Sequence, residues 1–160
     1  MEKNFNKVLI AILGFSILSI FSAYFIEYVL GHKPCKLCLY QRYPYFVSVF
    51  LILNILVLKK YVKLTLLTLA LVSFFGSAIA FYHFGIEQSF FNESLICEAK
   101  NFKNNLSKDE LLKSLSENTI SCKTVTFRVF GLSLASINTV LSFILFSIFI
   151  KLYKNYERNK

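Results

Sequence analysis

The chain contains no tryptophan, one methionine, two prolines and five glycines, and only 9 of its 160 residues are acidic. It has no internal repeat, so repeat architectures are excluded. It has no low-complexity stretch to act as a linker, and its length suits one domain. Charged residues make up 17% against 56% hydrophobic, with mean hydropathy +0.56, which is too apolar for an ordinary soluble fold. The net charge of +9 would suit nucleic acid or acidic lipid. Its distribution excludes nucleic acid, because the charges flank apolar runs instead of gathering on one face. The missing tryptophan and the abundance of Phe, Lys, Asn and Ile are compositional flavour and carry no functional reading.

Four apolar runs are present, at about 8–30, 43–58, 64–83 and 131–150, and a spanning helix needs about 20 mostly apolar residues. The second is short and interrupted by Asn54, so it either borrows length from Leu39-Tyr40 or sits less tilted. The expectation is an all-α membrane protein: one integral domain over 1–160, a four-transmembrane-helix bundle. Its helices lie at about 8–30, 40–58, 64–83 and 131–150, with outer loops at about 31–39 and 84–130. The first run follows Lys3 and Lys7 but exceeds the usual signal-peptide core, so it reads as an uncleaved helix. Orientation follows Lys and Arg. With the N-terminus inside, nine positives (Lys3, Lys7, Lys59, Lys60, Lys63, Lys151, Lys154, Arg158, Lys160) fall on the inner face. The long outer loop from Gly85 to Phe130 balances six basic against six acidic residues. The short outer loop keeps Lys33, Lys36 and Arg42, an excess that suggests a role for them there. Both termini are thus expected in the cytoplasm and both loops outside.

Small residues recur at helical spacing: Ser73, Gly76, Ser77 and Ala80 in the third helix, then Gly131, Ala135, Thr139 and Ser142. They read as packing surfaces that let helices approach closely in lipid. In the long loop, Ser107-Lys-Asp-Glu110 is a capping box, followed by Leu111, Leu112 and Leu115 on one face. This predicts a short amphipathic helix, lying on the membrane or packed on the protein. Phe90 and Phe91 read as interfacial aromatics.

The chemistry is expected at four cysteines in the two outer loops: Cys35-Lys-Leu-Cys38, then Cys97 and Cys122. In an oxidising compartment an even count suggests disulfides. A Cys-x-x-Cys pair at a helix N-terminus has a lowered thiol pKa. Arg42, one turn beyond Cys38, offers a permanent cation to a thiolate or to a reduced acceptor. No βαβ pattern surrounds the motif, so a thioredoxin fold is excluded. Three alternatives stand beside redox catalysis. Cys97 and Cys122 could complete a four-thiolate zinc site, although they lie 25 positions apart. The disulfides could only brace the loops. A redox enzyme could also serve one dedicated substrate. A dithiol at the membrane surface beside an arginine suits electron delivery to a lipid-soluble oxidant, with quinone the obvious candidate. The second pair, in the long loop, is then the one that soluble protein can reach.

Cys35-Lys-Leu-Cys-Leu-Tyr-Gln-Arg42 resembles the signature of the bacterial DsbB family, disulfide bond formation protein B. Tyr82-His-Phe-Gly-Ile-Glu87 and the run Phe127-Arg-Val-Phe-Gly-Leu-Ser133 after Cys122 resemble further segments of a shorter branch of that family. The resemblance spans nearly the whole chain. It implies a four-helix bundle in the bacterial inner membrane, with its cysteine loops periplasmic, that reoxidises the dithiol oxidase DsbA and passes the electrons to ubiquinone or menaquinone. Carried over by motif, Cys97 would be attacked by the partner. Cys122 would pair with Cys97 at rest and with Cys35 during transfer. Cys38 would face the quinone and form a thiolate adduct or charge-transfer complex with it, with Arg42 beside it helping to hold that state. No metal is implied. Phe90-Phe91, Lys123 and Phe127 depart from the branch's usual residues and bear on partner choice. His83 and Glu87, one turn apart, are candidates to tune protonation near the quinone, and His83 is a candidate cofactor contact; an interfacial pair with no catalytic role is the simpler reading. Glu27 reads as interfacial, and Asn54 as an interhelical hydrogen bond.

Overall fold

The computed structural model describes residues 2–92, 97, 121–123, 127–129 and 131–158. The expected capping box at Ser107 and its amphipathic helix lie outside the described residues. Among the described residues five helices carry the fold: α1 (Glu2–Tyr28), α2 (Lys36–Tyr40), α3 (Tyr43–Leu58), α4 (Val62–Glu87) and α5 (Leu134–Arg158). A two-stranded antiparallel hairpin, β1 (Arg128–Val129) with β2 (Leu132–Ser133), precedes α5 and pairs Arg128 with Ser133.

Four spans are long and apolar enough to cross a membrane: Asn4–Tyr28, Lys36–Leu58, Val62–Glu87 and Leu134–Arg158. The protein is an all-α, four-helix membrane protein. The spans outrun the apolar runs of the sequence because polar ends continue the backbone helix beyond the lipid-compatible stretch. The start of α5 is set three residues after Gly131 by Ser133, whose Oγ accepts from Ser136 N at 3.1 Å, an N-cap.

The second span is two helices in series. Pro44, in the first turn of α3, has no N–H for the carbonyl of Tyr40, so the hydrogen-bond ladder cannot run through. Arg42 N instead reaches Leu39 O at 3.1 Å, a tighter i−3 bond. The break leaves Gln41 and Arg42 between two helix ends, where their side chains turn inward.

α4 and α5 share the largest contact, and the small residues of α4 (Ser73, Gly76, Ser77, Ala80) are all buried. Gly76 faces α3: a Cβ there would lie 3.0 Å from Pro44 Cγ. At the other end of α4, the Phe91 ring folds back over Gly85, where a Cβ would overlap it, and stacks on Tyr82 at 5.7 Å. Phe91 thus packs partly on the protein, at 43% exposure, while Phe90 is 77% exposed.

The interior divides in two. One cluster is mostly apolar, built on Leu9, Ile52, Leu66, Leu69 and Phe149. The other, at the loop end, packs Cys35, Leu37, Ile86, Cys97 and Cys122 together. The rest of the apolar surface points outward, with Phe21, Phe50, Phe75 and Phe143 all more than half exposed. That is the inverse of a soluble protein and the expected surface of a helix bundle in lipid.

Candidate active site

Cys35 is the N-cap of α2. Its extended backbone (φ −72°, ψ 168°) turns the sulfur back over the helix start, where it accepts from Cys38 N at 3.3 Å. The two sulfurs of the pair are 2.9 Å apart. They share one proton, and its place follows from the surroundings. The backbone N–H of Cys38 and the ring of His83 both address the Cys35 sulfur. Negative charge therefore settles on Cys35, with Cys38 as the thiol. The Cys38 thiol, then His83 and the helix-end amide, outweigh burial and hold Cys35 well below the ordinary thiol value of 9.0, at about 5.

Cys97 and Cys122 are joined as a disulfide with their Cα atoms 5.3 Å apart, and both are buried. The Sγ of Cys35, the Sγ of Cys122 and a ring nitrogen of His83 all lie within 4.8 Å of one another. A thiolate in the first loop thus faces a disulfide sulfur in the second.

A cavity of about 340 Å³ opens on the other side of the pair, between α1, α3 and α5. Its walls are mostly apolar (Leu18, Ala23, Ile26, Leu134, Ile137), and Cys38, Gln41, Arg42, Tyr45 and Asn138 supply the polar atoms. Arg42 is held in place: its Nη1 donates to Glu27 Oε2 at 2.5 Å, and its guanidinium lies 4.9 Å over the Tyr24 ring. Both side chains are mostly buried, at 13% and 21% exposure. This wall suits a flat apolar ring carrying carbonyl acceptors, because the donors sit together on one side beside a thiol. Cys35 is not among the lining residues, so the pair straddles the two compartments: Cys38 toward the cavity, Cys35 toward Cys122.

The family model described as Disulfide bond formation protein DsbB matches residues 5–152. The chain belongs to the DsbB family. It is therefore a multi-pass inner-membrane protein of a disulfide-forming oxidoreductase family. A protein of Rickettsia prowazekii (strain Madrid E), the uncharacterized RP370, is 28% identical over 142 residues, covering 88% of this chain and 81% of that protein.

Within this DsbB-family site, the four cysteines come together in one cluster, and Arg42 lines the cavity. His83 does not line it. Its ring stands on the thiol side, with Nε2 3.5 Å from Cys35 Sγ and 3.7 Å from Glu87 Oε1. Of the three cations in the short loop, Lys33 and Lys36 are exposed, and among the described residues only Arg42 is engaged. Glu27 is no bystander at the interface, since it is the counter-ion of Arg42 from 15 positions away. Asn54 makes no hydrogen bond among the described residues. Asn138 and Gln41, which the sequence reading passed over, do: Asn138 Nδ2 donates to Gln41 Oε1 at 2.7 Å. The available signal was a carboxamide inside a membrane-length apolar run, which is costly unless paired.

Proposed function

We propose that this protein reoxidises a DsbA-like dithiol protein on the outer face of the inner membrane and passes the electrons to membrane quinone. The observation that carries the reading is the straddled pair: Cys35 within 4.8 Å of Cys122, and its partner Cys38 in the wall of a mostly apolar cavity between α1, α3 and α5.

The steps are thiolate attacks on disulfides. A partner thiolate attacks Cys97 and releases Cys122 as a thiolate. Cys122 attacks Cys35 of an oxidised Cys35–Cys38 pair and releases Cys38 as a thiolate. The partner's second thiol closes its own disulfide and frees Cys97. Cys97 then attacks Cys122, restoring the Cys97–Cys122 bond and leaving Cys35 and Cys38 reduced. That final state would hold one disulfide and one reduced pair carrying two electrons. A bound quinone supplies a two-electron, two-proton acceptor. Arg42, Gln41 and Asn138 would hold its carbonyl oxygens, and Cys38 would stand against the ring. Glu27 and Tyr24 keep the Arg42 side chain aimed at the cavity. His83 and the amide of Cys38 keep Cys35 ready as the nucleophile that closes the pair. The positive inner face and the neutral long loop support cytoplasmic termini and outer cysteines.

The test is quinone reduction by purified protein given a reduced DsbA-like protein, with ubiquinone and menaquinone analogues in separate arms and Cys35→Ser alongside. Turnover that disappears in the variant supports the path. Absence of turnover with both analogues, from folded wild-type protein, sinks it. A Cys35→Ser protein that loses its fold would instead favour disulfides that only brace the loops.

A further inference from the structure

A continuous chain of hydrogen bonds runs from the cavity wall to the Cys35 sulfur across three helical segments. Tyr45 Oη donates to Asn138 Oδ1 at 2.5 Å. Asn138 Nδ2 donates to Gln41 Oε1 at 2.7 Å. Gln41 Nε2 meets His83 Nδ1 at 2.9 Å, and His83 Nε2 stands 3.5 Å from Cys35 Sγ. Gln41 is 7% exposed and His83 2%, so water does not replace these partners.

The chain has a direction. A tyrosine hydroxyl donates at one end. Each carboxamide then accepts through oxygen and donates through nitrogen, so the last donor is Gln41 N–H, and His83 Nδ1 must offer it a lone pair. A neutral imidazole with Nδ1 unprotonated carries its hydrogen on Nε2. Nε2 is the nitrogen that faces Cys35 Sγ, with Glu87 Oε1 3.7 Å away. Acceptors alone meet that N–H when Cys35 is a thiolate.

We propose that Gln41 is a positioning residue that holds His83 in the tautomer presenting Nε2–H to Cys35, tying the cavity wall to the reactivity of the outer thiol. This rests on the thiol–quinone reading of the site and adds to it. The carboxamides do not ionise. They fix which nitrogen of His83 carries the hydrogen. Because Gln41 and Asn138 also line the cavity, whatever binds there contacts the residues that set the His83 ring. The other groups facing Cys35 are the Cys38 thiol and amide, both on its own helix, and the uncharged Cys97–Cys122 disulfide. Among the described residues Glu87 is the one carboxylate against His83.

The readout is the pH profile of Cys35 alkylation by iodoacetamide, resolved from Cys38 by fragmentation mass spectrometry, on reduced full-length protein in detergent. Gln41→Met keeps the volume and removes the donor. It is expected to raise the Cys35 midpoint by about one pH unit, or about tenfold less thiolate below the midpoint. In a His83→Gln background the same substitution is expected to add nothing, since Gln41 acts through that ring. Asn138→Leu, which leaves Gln41 in place but unanchored, is expected to move the midpoint the same way by less, and it carries the test if Gln41→Met does not fold. An unmoved midpoint in the folded variants overturns the proposal, as does a shift of equal size with and without His83. Quinone turnover is scored separately. A shifted midpoint without wild-type turnover would sink the quinone reading and leave this one. Turnover with an unmoved midpoint would do the reverse.

Discussion

Lowering the pH from 9 to 5 separates Cys35 from an ordinary cysteine. A thiol at the ordinary value of 9.0 is about 1% ionised at pH 7 and about 0.01% at pH 5, while Cys35, held at about 5, is about 99% and about half ionised. Nucleophilicity falls with pKa by a Brønsted factor of about 0.4–0.5, so four units of lowering make the thiolate itself some 40–100-fold slower. At pH 7 the two effects nearly cancel, and absolute rates are uninformative. The shape is not. The charged form is stabilised, so it persists as pH falls and is lost only on passing through about 5. Cys35 alkylation is therefore expected to be flat from pH 9 to about 6.5 and to halve near 5, whereas an ordinary thiol loses about tenfold per unit throughout. The Cys38 thiol is the largest cause, ahead of His83, so Cys38→Ala is expected to raise the midpoint more than His83→Gln. The assay is rate against pH at a fixed, small alkylating agent concentration, in protein whose first pair is reduced. A wild-type midpoint at pH 8 or above refutes the assignment of the thiolate to Cys35. The reverse order of the two variants refutes the leading part given to Cys38.

Two further outcomes concern the framework. Arg42→Leu strands Glu27 without its counter-ion, at a cost of about 1–3 kcal/mol once partial exposure is discounted. Adding Glu27→Gln is expected to restore part of that loss in a thermal melt in detergent, and a double variant no more stable than Arg42→Leu contradicts the pairing. At Gly76, where a Cβ would sit 3.0 Å from Pro44 Cγ, alanine gains about 1 kcal/mol of helix propensity against a small shift of the ring and is expected to be near neutral. Valine adds branches with nowhere to go and is expected to cost about 1–3 kcal/mol. Equal melting temperatures for the two variants would rule out a close α3–α4 approach.

Much of the fold was legible because lipid imposes a strong constraint. A span must satisfy its own backbone, and the four apolar runs say where that happens. What escaped was the break between α2 and α3. It depends on one missing N–H at Pro44 inside a run that otherwise reads as a single span, and hydropathy does not weigh a proline against its neighbours. The cysteine cluster was legible for a different reason: Cys-x-x-Cys with Arg42 is a local motif, and its chemistry belongs to those residues wherever they fold.

The partners of that chemistry are not local. Glu27 meets Arg42 across 15 positions, His83 meets Gln41 across 42, and Asn138 meets Gln41 across 97. Helical spacing links a residue only to those three or four places away. It paired His83 with Glu87 and had no means of pairing His83 with Cys35. Composition flagged Asn54, which makes no hydrogen bond among the described residues, and not Asn138, which is bonded to both Tyr45 and Gln41. The difference lies in what stands opposite. Asn138 faces the broken span, where Gln41 is released from a regular helix and turned inward, whereas Asn54 lies on the unbroken part of α3. Pro44 thus does two things at once: it interrupts the helix and it delivers Gln41 and Arg42 to the cavity. A proline a few residues after a Cys-x-x-Cys, at membrane depth, is the feature that would have directed attention to the residues just before it.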